Sequence, residues 1–195
     1  MPRKSTTPWK PTKAQLAAAH TKRVADLIAD DLIVLFAGIN PGLYTAAIGQ
    51  HFGRPGNRFW PALHGGGFTP RLFSPFESDL LLDLQYGITN VVSRATARAD
   101  ELSDDELRAG GRRLAAKVKR RKPTVIAFVG IGPYRVVTGN KEAGVGLQRE
   151  LFGGRHAWVL PNPSGLNAHY QPAALAKLFA ELRVWATAEH ERRRT

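Results

Sequence analysis

The stretch LIVLFAGINPG, residues 32–42, decides the fold. Residues 32–37 are apolar throughout and show no alternation with polar positions, the pattern of a strand buried on both faces. The run then stops on Gly38 and on Asn40-Pro41-Gly42, residue types that turn a chain. Leu32–Gln50 carries no charge over 19 residues, but Asn-Pro-Gly at its middle would leave backbone polar groups unsatisfied in lipid. The segment is therefore read as a buried strand feeding a loop, not as a membrane span.

Three further short apolar runs share this character: ITNVV at 88–92, TVIAFV at 124–129 and AWVL at 157–160. Each is followed by Gly, Pro, Asn or Ser, and helix-like stretches lie between them. Residues 103–120 open with Ser103 and Glu106, the two members of a capping box, and close on Lys and Arg, which suit a helix carboxyl end. Residues 172–189 start on Pro172 and place Leu175, Leu178, Phe179, Leu182, Trp185 and Ala186 on one face. A third helix is predicted over roughly 12–29. Strands alternating with helices predict a mostly parallel sheet covered on both faces, a three-layer α/β/α sandwich. Neither a repeat nor a linker interrupts it. Residues 1–23 read as a basic, mobile N-terminal extension and 24–195 as a single domain.

The chain has 195 residues, 43% of them hydrophobic and 23% charged, enough to bury a core and too apolar for wholesale disorder. It has no cysteine, which excludes disulfides, thiolate nucleophiles and Cys-ligated metal centres. The net charge is +12 and it is concentrated. Residues 1–23 hold six basic side chains and no acid, and residues 111–122 hold seven and no acid, leaving the rest close to neutral. Two basic patches on a neutral body suggest a polyanionic partner. No secretion signal is present, so the expected location is cytoplasmic and, with DNA as partner, nucleoid-associated. The six histidines lack metal-ligand spacing, and neither a Walker A sequence nor a G-x-S-x-G elbow occurs; no metal and no cofactor are expected.

In open α/β sheets, ligands bind outside the carboxyl ends of the strands. Those ends deliver GINPG at 38–42, Ser93-Arg94, GIGP at 130–133 and NPSGLN at 162–167. Asn40 sits between two glycines, where its amide could position a water or donate to a carbonyl. Phe52 lies among Gly49, Gly53 and Gly56, so it is expected to project with little around it and to stack a base. Phe59 and Trp60 read as the first apolar turn of a core helix. Leu166, displayed on a Gly-containing loop, could wedge into a base stack or simply be buried.

Taken together, GINPGL at 38–43, Phe52 with NRFW at 57–60, RAGGRRL at 108–114 and WVLPNPSGLN at 158–167 resemble the mismatch-specific uracil-DNA glycosylases of bacteria. That family is the branch of the uracil-DNA glycosylase superfamily that includes the thymine-DNA glycosylases. The resemblance runs from about Leu32 to Trp185. It implies a glycosylase acting without a cofactor on mismatched or damaged pyrimidines in double-stranded DNA, as in base excision repair. No lysine falls in the strand-end loops, so a monofunctional enzyme without a lyase step is expected, and a monomer would suit one lesion on one duplex. Asn40 matches the asparagine that positions the attacking water. Phe52 matches the aromatic that stacks on the flipped base, and the Ile39 backbone lines the same pocket. Thr45 falls near the pyrimidine 5-position, and Asn162 heads the second motif. Gly165, Leu166 and Asn167 match the segment that fills the hole left by the base and touches the widowed guanine.

Two positions depart from the family pattern. Ser93 stands where relatives carry Asp or Glu, and serine is no base near neutral pH; Ser93 is thus a candidate catalytic position that lacks its carboxylate. Ala168 stands where a basic residue follows the wedge. The chief rival reading is a mismatch-binding module without catalysis. A small-molecule α/β enzyme using the Gly-x-Gly at 130–132 is the remaining one.

Overall fold

The computed structural model describes residues 7–165 and 170–195. Its centre is a five-stranded sheet in the order β2-β1-β3-β5-β4, built from β1 (Val34–Gly38), β2 (Tyr86–Asn90), β3 (Val125–Val129), β4 (Gly146–Leu147) and β5 (His156–Leu160). β2, β1, β3 and β5 run parallel, while the two-residue β4 closes the far edge antiparallel to β5. All residues of β1 and β3 are buried, as their unbroken apolar runs predict. The pleat sorts them. Val34, Phe36, Val125, Ala127 and Val129 face one core, whereas Leu35, Ala37, Ile126 and Phe128 face the other.

Helices cover both faces. α3 (Phe59–Gly65) and α7 (Pro172–Arg192) fill the first core with Phe59, Trp60, Leu63, Leu175, Phe179 and Leu182. α5 (Asp104–Arg121) and α6 (Ile131–Thr138) fill the second with Leu107, Leu114, Val118 and Tyr134. This is the three-layer α/β/α arrangement predicted from the sequence. Ser103 caps α5 by accepting from the Glu106 N–H at 3.2 Å, and the Glu106 carboxylate returns to the Ser103 N–H at 3.2 Å. Pro172 occupies the first turn of α7 as expected. Among the described residues no helix is long and apolar enough to cross a membrane.

The predicted helix over 12–29 is not formed. α1 spans only Lys13–Ala17 and runs into a single 3-10 turn at Ala18–Thr21. The chain then extends, and Leu27 exchanges both backbone hydrogen bonds with Ile88, each at 2.8 Å. The reason lies in the sheet. β2 is an edge strand with an unpaired backbone row, and an extended segment satisfies that row while burying Val24 and Leu27. Residues 13–21 lie against α2 (Leu43–Ile48), with Ala19 fully buried beside Ala46, Ala47 and Ala95.

The RAGGRRL segment acquires a packing reason. A Cβ on Gly110 would stand 2.4 Å from the Val91 carbonyl oxygen, whereas one on Gly111 would meet a Val137 side-chain methyl at the same distance. Backbone cannot yield as a side chain can. Gly110→Ala is therefore expected to destabilise the fold by about 2 kcal/mol, and Gly111→Ala by less, read from urea unfolding at unchanged m-value.

Candidate active site at the carboxyl ends of the strands

The chain leaves β1 for β2 on one side and returns through α5 to β3 on the other. A crevice therefore opens where the connections diverge, outside the carboxyl ends of these strands. A cavity of about 730 Å³ occupies it. Its lining includes Ile39, Asn40, Thr45, Phe52 and Asn162, five of the residues singled out from the sequence.

The loop after β1 is zipped to the segment after β2. Val91 and Val92 donate to the Gly38 and Ile39 carbonyls, each at 2.9 Å, Thr96 donates to Pro41 at 3.2 Å, and Leu43 donates to Thr96 at 3.1 Å. Inside this zipper the Asn40 Nδ2 donates to the Arg94 carbonyl at 2.9 Å and to Thr96 Oγ1 at 2.8 Å. A carbonyl only accepts, so these partners fix which end of the amide is nitrogen. The Oδ1 is left as the atom Asn40 offers to a cavity occupant, an acceptor suited to orienting a water.

Phe52 has φ of +52°, a conformation a bulky residue adopts only when its surroundings impose it. Here the Trp60 indole N–H donates to the neighbouring His51 carbonyl at 3.2 Å. The expectation that Phe52 would stand with little around it is corrected: its ring stacks on Phe59 with centroids 3.9 Å apart and planes 15° from parallel. Phe59 in turn meets Phe36 and Trp60 edge-on at 5.4 Å, and both Phe59 and Trp60 are buried, as predicted. An aromatic stack thus runs from the core to the cavity and ends on Phe52, which is more rigid than a bare loop residue would be.

Thr45 is buried on α2. Asn162 folds its Oδ1 back to accept from the Ser164 N–H at 2.9 Å. Gly165 lies beside a smaller cavity of about 400 Å³, where a Cβ would stand 2.5 Å from the Gly56 carbonyl oxygen. Arg58 braces this loop: its backbone N–H donates to Pro163 at 2.8 Å and its guanidinium to the Tyr170 carbonyl at 2.7 Å. Leu166 and Asn167, the expected wedge, lie outside the described residues, as does Ala168.

Ser93 is exposed and does not line the cavity. The predicted strand end at residue 92 lies two residues too far along; β2 ends at Asn90, and it is Asn90 that reaches the cavity. Asn90 pairs in register with Gly38, and a Cβ on Gly38 would lie 2.7 Å from the Asn90 Oδ1. His51 also lines the cavity; its Nε2 bonds the Ala25 carbonyl at 2.9 Å, and its Nδ1 lies 3.5 Å from the Asn90 Nδ2. The first contact makes Nε2 the donor and leaves Nδ1 an acceptor in the neutral ring. Sequence reading missed both residues, although a polar residue ending an apolar run, as in ITN, was the available signal.

Arg94 is an anchor. Its guanidinium makes two bonds to the Glu106 carboxylate, at 2.8 and 2.9 Å, tying the loop that holds Asn40 to the start of α5. Arg94, and then the Ser103 N–H, hold the Glu106 carboxyl below its ordinary value of 4.5. A depressed folded value contributes stability above the unfolded pKa that is lost as pH falls through the folded one. The Tm of the parent should accordingly fall below pH 4.5 more steeply than that of Glu106→Gln, and the two curves should run parallel above it.

A family model described as the Uracil DNA glycosylase superfamily matches residues 25–183, spanning every element of this cavity. The chain belongs to that superfamily. Superfamily membership makes it an enzyme of the DNA glycosylase kind, with DNA as partner. The solution NMR structure of a proposed uracil DNA glycosylase from Methanosarcina acetivorans shares the fold, with a TM-score of 0.54 at 19% identity over 83% of this chain and 98% of that one.

Proposed function

We propose that this superfamily member is a monofunctional uracil DNA glycosylase that prefers uracil opposite guanine in duplex DNA. The observation that carries the reading is the Asn40 amide, locked by Arg94 and Thr96 with its oxygen left for a water, in a cavity that ends on the Phe52 ring. The glycosidic bond is inaccessible in a stacked duplex, so the nucleotide must swing out, and a mismatched base costs less to unpair. The base then lies on Phe52, with the Asn90 amide and the His51 ring at hand for its polar edge and Thr45 near the 5-position. The bond breaks with uracil leaving as an anion and the sugar becoming an oxocarbenium-like cation. A water held by Asn40 adds to the sugar, and its proton passes through solvent to the departed uracil anion, so that free uracil and the abasic sugar hydroxyl are the products. None of the described lining residues is lysine, so no amine is supplied for a Schiff base and strand cleavage. Gly165, Leu166 and Asn167 are assigned to the opening left in the duplex, and a monomer suits one lesion on one duplex.

One observation favours a second reading, recognition of mismatched DNA without catalysis. The one carboxylate among the described lining residues, Asp100, is paired with Arg98 at 2.5 Å, and Ser93 supplies no replacement. Single-turnover base release separates the two. A G·U duplex should release uracil at least tenfold faster than an A·U duplex and faster than single-stranded DNA. Tight, salt-sensitive binding with no free uracil would establish the second reading instead.

A further inference from the structure

The basic run at 111–122 has no place in the cavity. α5 begins at the rim, where Glu106 holds Arg94, and its 18 residues carry the chain about 27 Å away. It ends beside the amino end of β3, where the sheet faces the opposite way. Two other stretches of chain arrive there. Arg193 at the end of α7 donates to Thr124 Oγ1 at 2.9 Å, and the turn carrying Arg155 packs on α5, where a Cβ on Gly153 would lie 2.6 Å from the Ala115 carbonyl oxygen. The Asp31 N–H, bonded to the Arg121 carbonyl at 2.9 Å, stands between them.

Lys119, Arg120, Lys122 and Arg194 are exposed on this face and form no ion pair among the described residues, and Arg155 forms none either. The nearby acids are outnumbered: Asp30 is engaged by Arg121 and Glu189 by Arg192, leaving Asp31 and Glu191 against these five cations. Burial, and then the neighbouring Arg193 charge, push the Arg155 guanidinium below its usual value, with Asp31 opposing them. Three separate stretches thus converge to build one cationic surface with its back to the cavity.

We propose that this surface binds the phosphate backbone of a second DNA segment while the cavity face holds the first. The proposal rests on the glycosylase reading for its choice of polyanion, since DNA is the dense array of phosphates such an enzyme always meets. A duplex lying across the cavity mouth cannot also reach the amino ends of the strands. Occupancy of both faces would let the protein pass from one segment to another without first becoming free.

The test uses the full chain at low salt with two short duplexes, one donor-labelled with a central G·U pair and one acceptor-labelled without a mismatch. The parent should bring them together and give energy transfer. Lys119→Ser/Arg120→Ser/Lys122→Ser/Arg194→Ser should lose at least four-fifths of that signal, while keeping a single cooperative thermal transition, lowered only by the loss of two cations from the last turn of α5, and the parent rate of single-turnover uracil release. These four side chains are exposed and support no buried contact, so the fold should persist. Absence of transfer in the parent, or equal transfer in the variant, would overturn the proposal whatever the base-release result. So would capture of polyglutamate by the parent through these four residues without bridging of the duplexes, which would make the surface a site for an acidic protein. Transfer in the parent that the variant loses, with no uracil release by either protein, would support this surface and refute the glycosylase reading.

Discussion

Asn40→Ala should lower single-turnover uracil release from a G·U duplex by about 10³-fold, with little change in DNA affinity. The size follows from what the side chain does. Its oxygen is the fixed acceptor for the water that must meet the sugar cation, and about 10³-fold corresponds to about 4 kcal/mol of barrier. The structural cost should be small. The exposed Arg94 carbonyl and the buried Thr96 Oγ1 each lose a donor, together worth about 1–2 kcal/mol in unfolding free energy. Thr96→Val separates positioning from chemistry. It leaves the Asn40 oxygen in place but frees one side of the amide, so a loss of about tenfold in rate with unchanged affinity is expected. Equal rates for parent and Asn40→Ala would remove Asn40 from the mechanism.

Ser93→Asp should raise the same rate by about 10²-fold, the ordinary return from a positioned general base. Ser93 flanks the cavity rather than lining it, yet the next residue, Arg94, carries the carbonyl that holds Asn40. A carboxylate at 93 is thus one residue from the carbonyl that holds the water-positioning amide, on a segment pinned to the loop after β1 by Val92 and to α5 through Arg94. The gain should appear as a rising limb in the pH–rate profile near the ordinary aspartate value, absent from the parent. An unchanged rate would mean that position 93 has no part in water activation. Release by Ser93→Asp alone, with none from the parent, would identify this chain as a disabled glycosylase.

Much of the scaffold was legible because the signals were local. Unbroken apolar runs mark β1 and β3, Ser103 with Glu106 marks the start of α5, and Pro172 with its apolar face marks α7. The short helices α2 and α6 were not resolved from the loops because neither spans enough turns to show a period, whereas Phe59 and Trp60 marked the start of α3. The helix predicted over 12–29 failed for a different reason. The competing demand came from the open edge of β2, which is distant in sequence and invisible to a local pattern.

The same division holds at the site. Residue types and spacing were enough to nominate Asn40, Phe52 and Asn162, because glycine- and proline-bounded loops after apolar runs mark where such a sheet presents its ligand, whereas Ile39 and Thr45 were named only through the family resemblance. The sequence alone also determined that the chain is strongly basic and that its charge is clustered. The tertiary structure decided the rest. Where β2 ends put Asn90 in the cavity and Ser93 outside it, since one or two residues of strand length decide which side chain clears the sheet. It turned the Asn40 amide by bonds to residues 54 and 56 positions away. It also carried the basic run of α5 to the face opposite the cavity, because an 18-residue helix is longer than the sheet it covers. Composition records how much charge a chain carries; only packing settles which way that charge points.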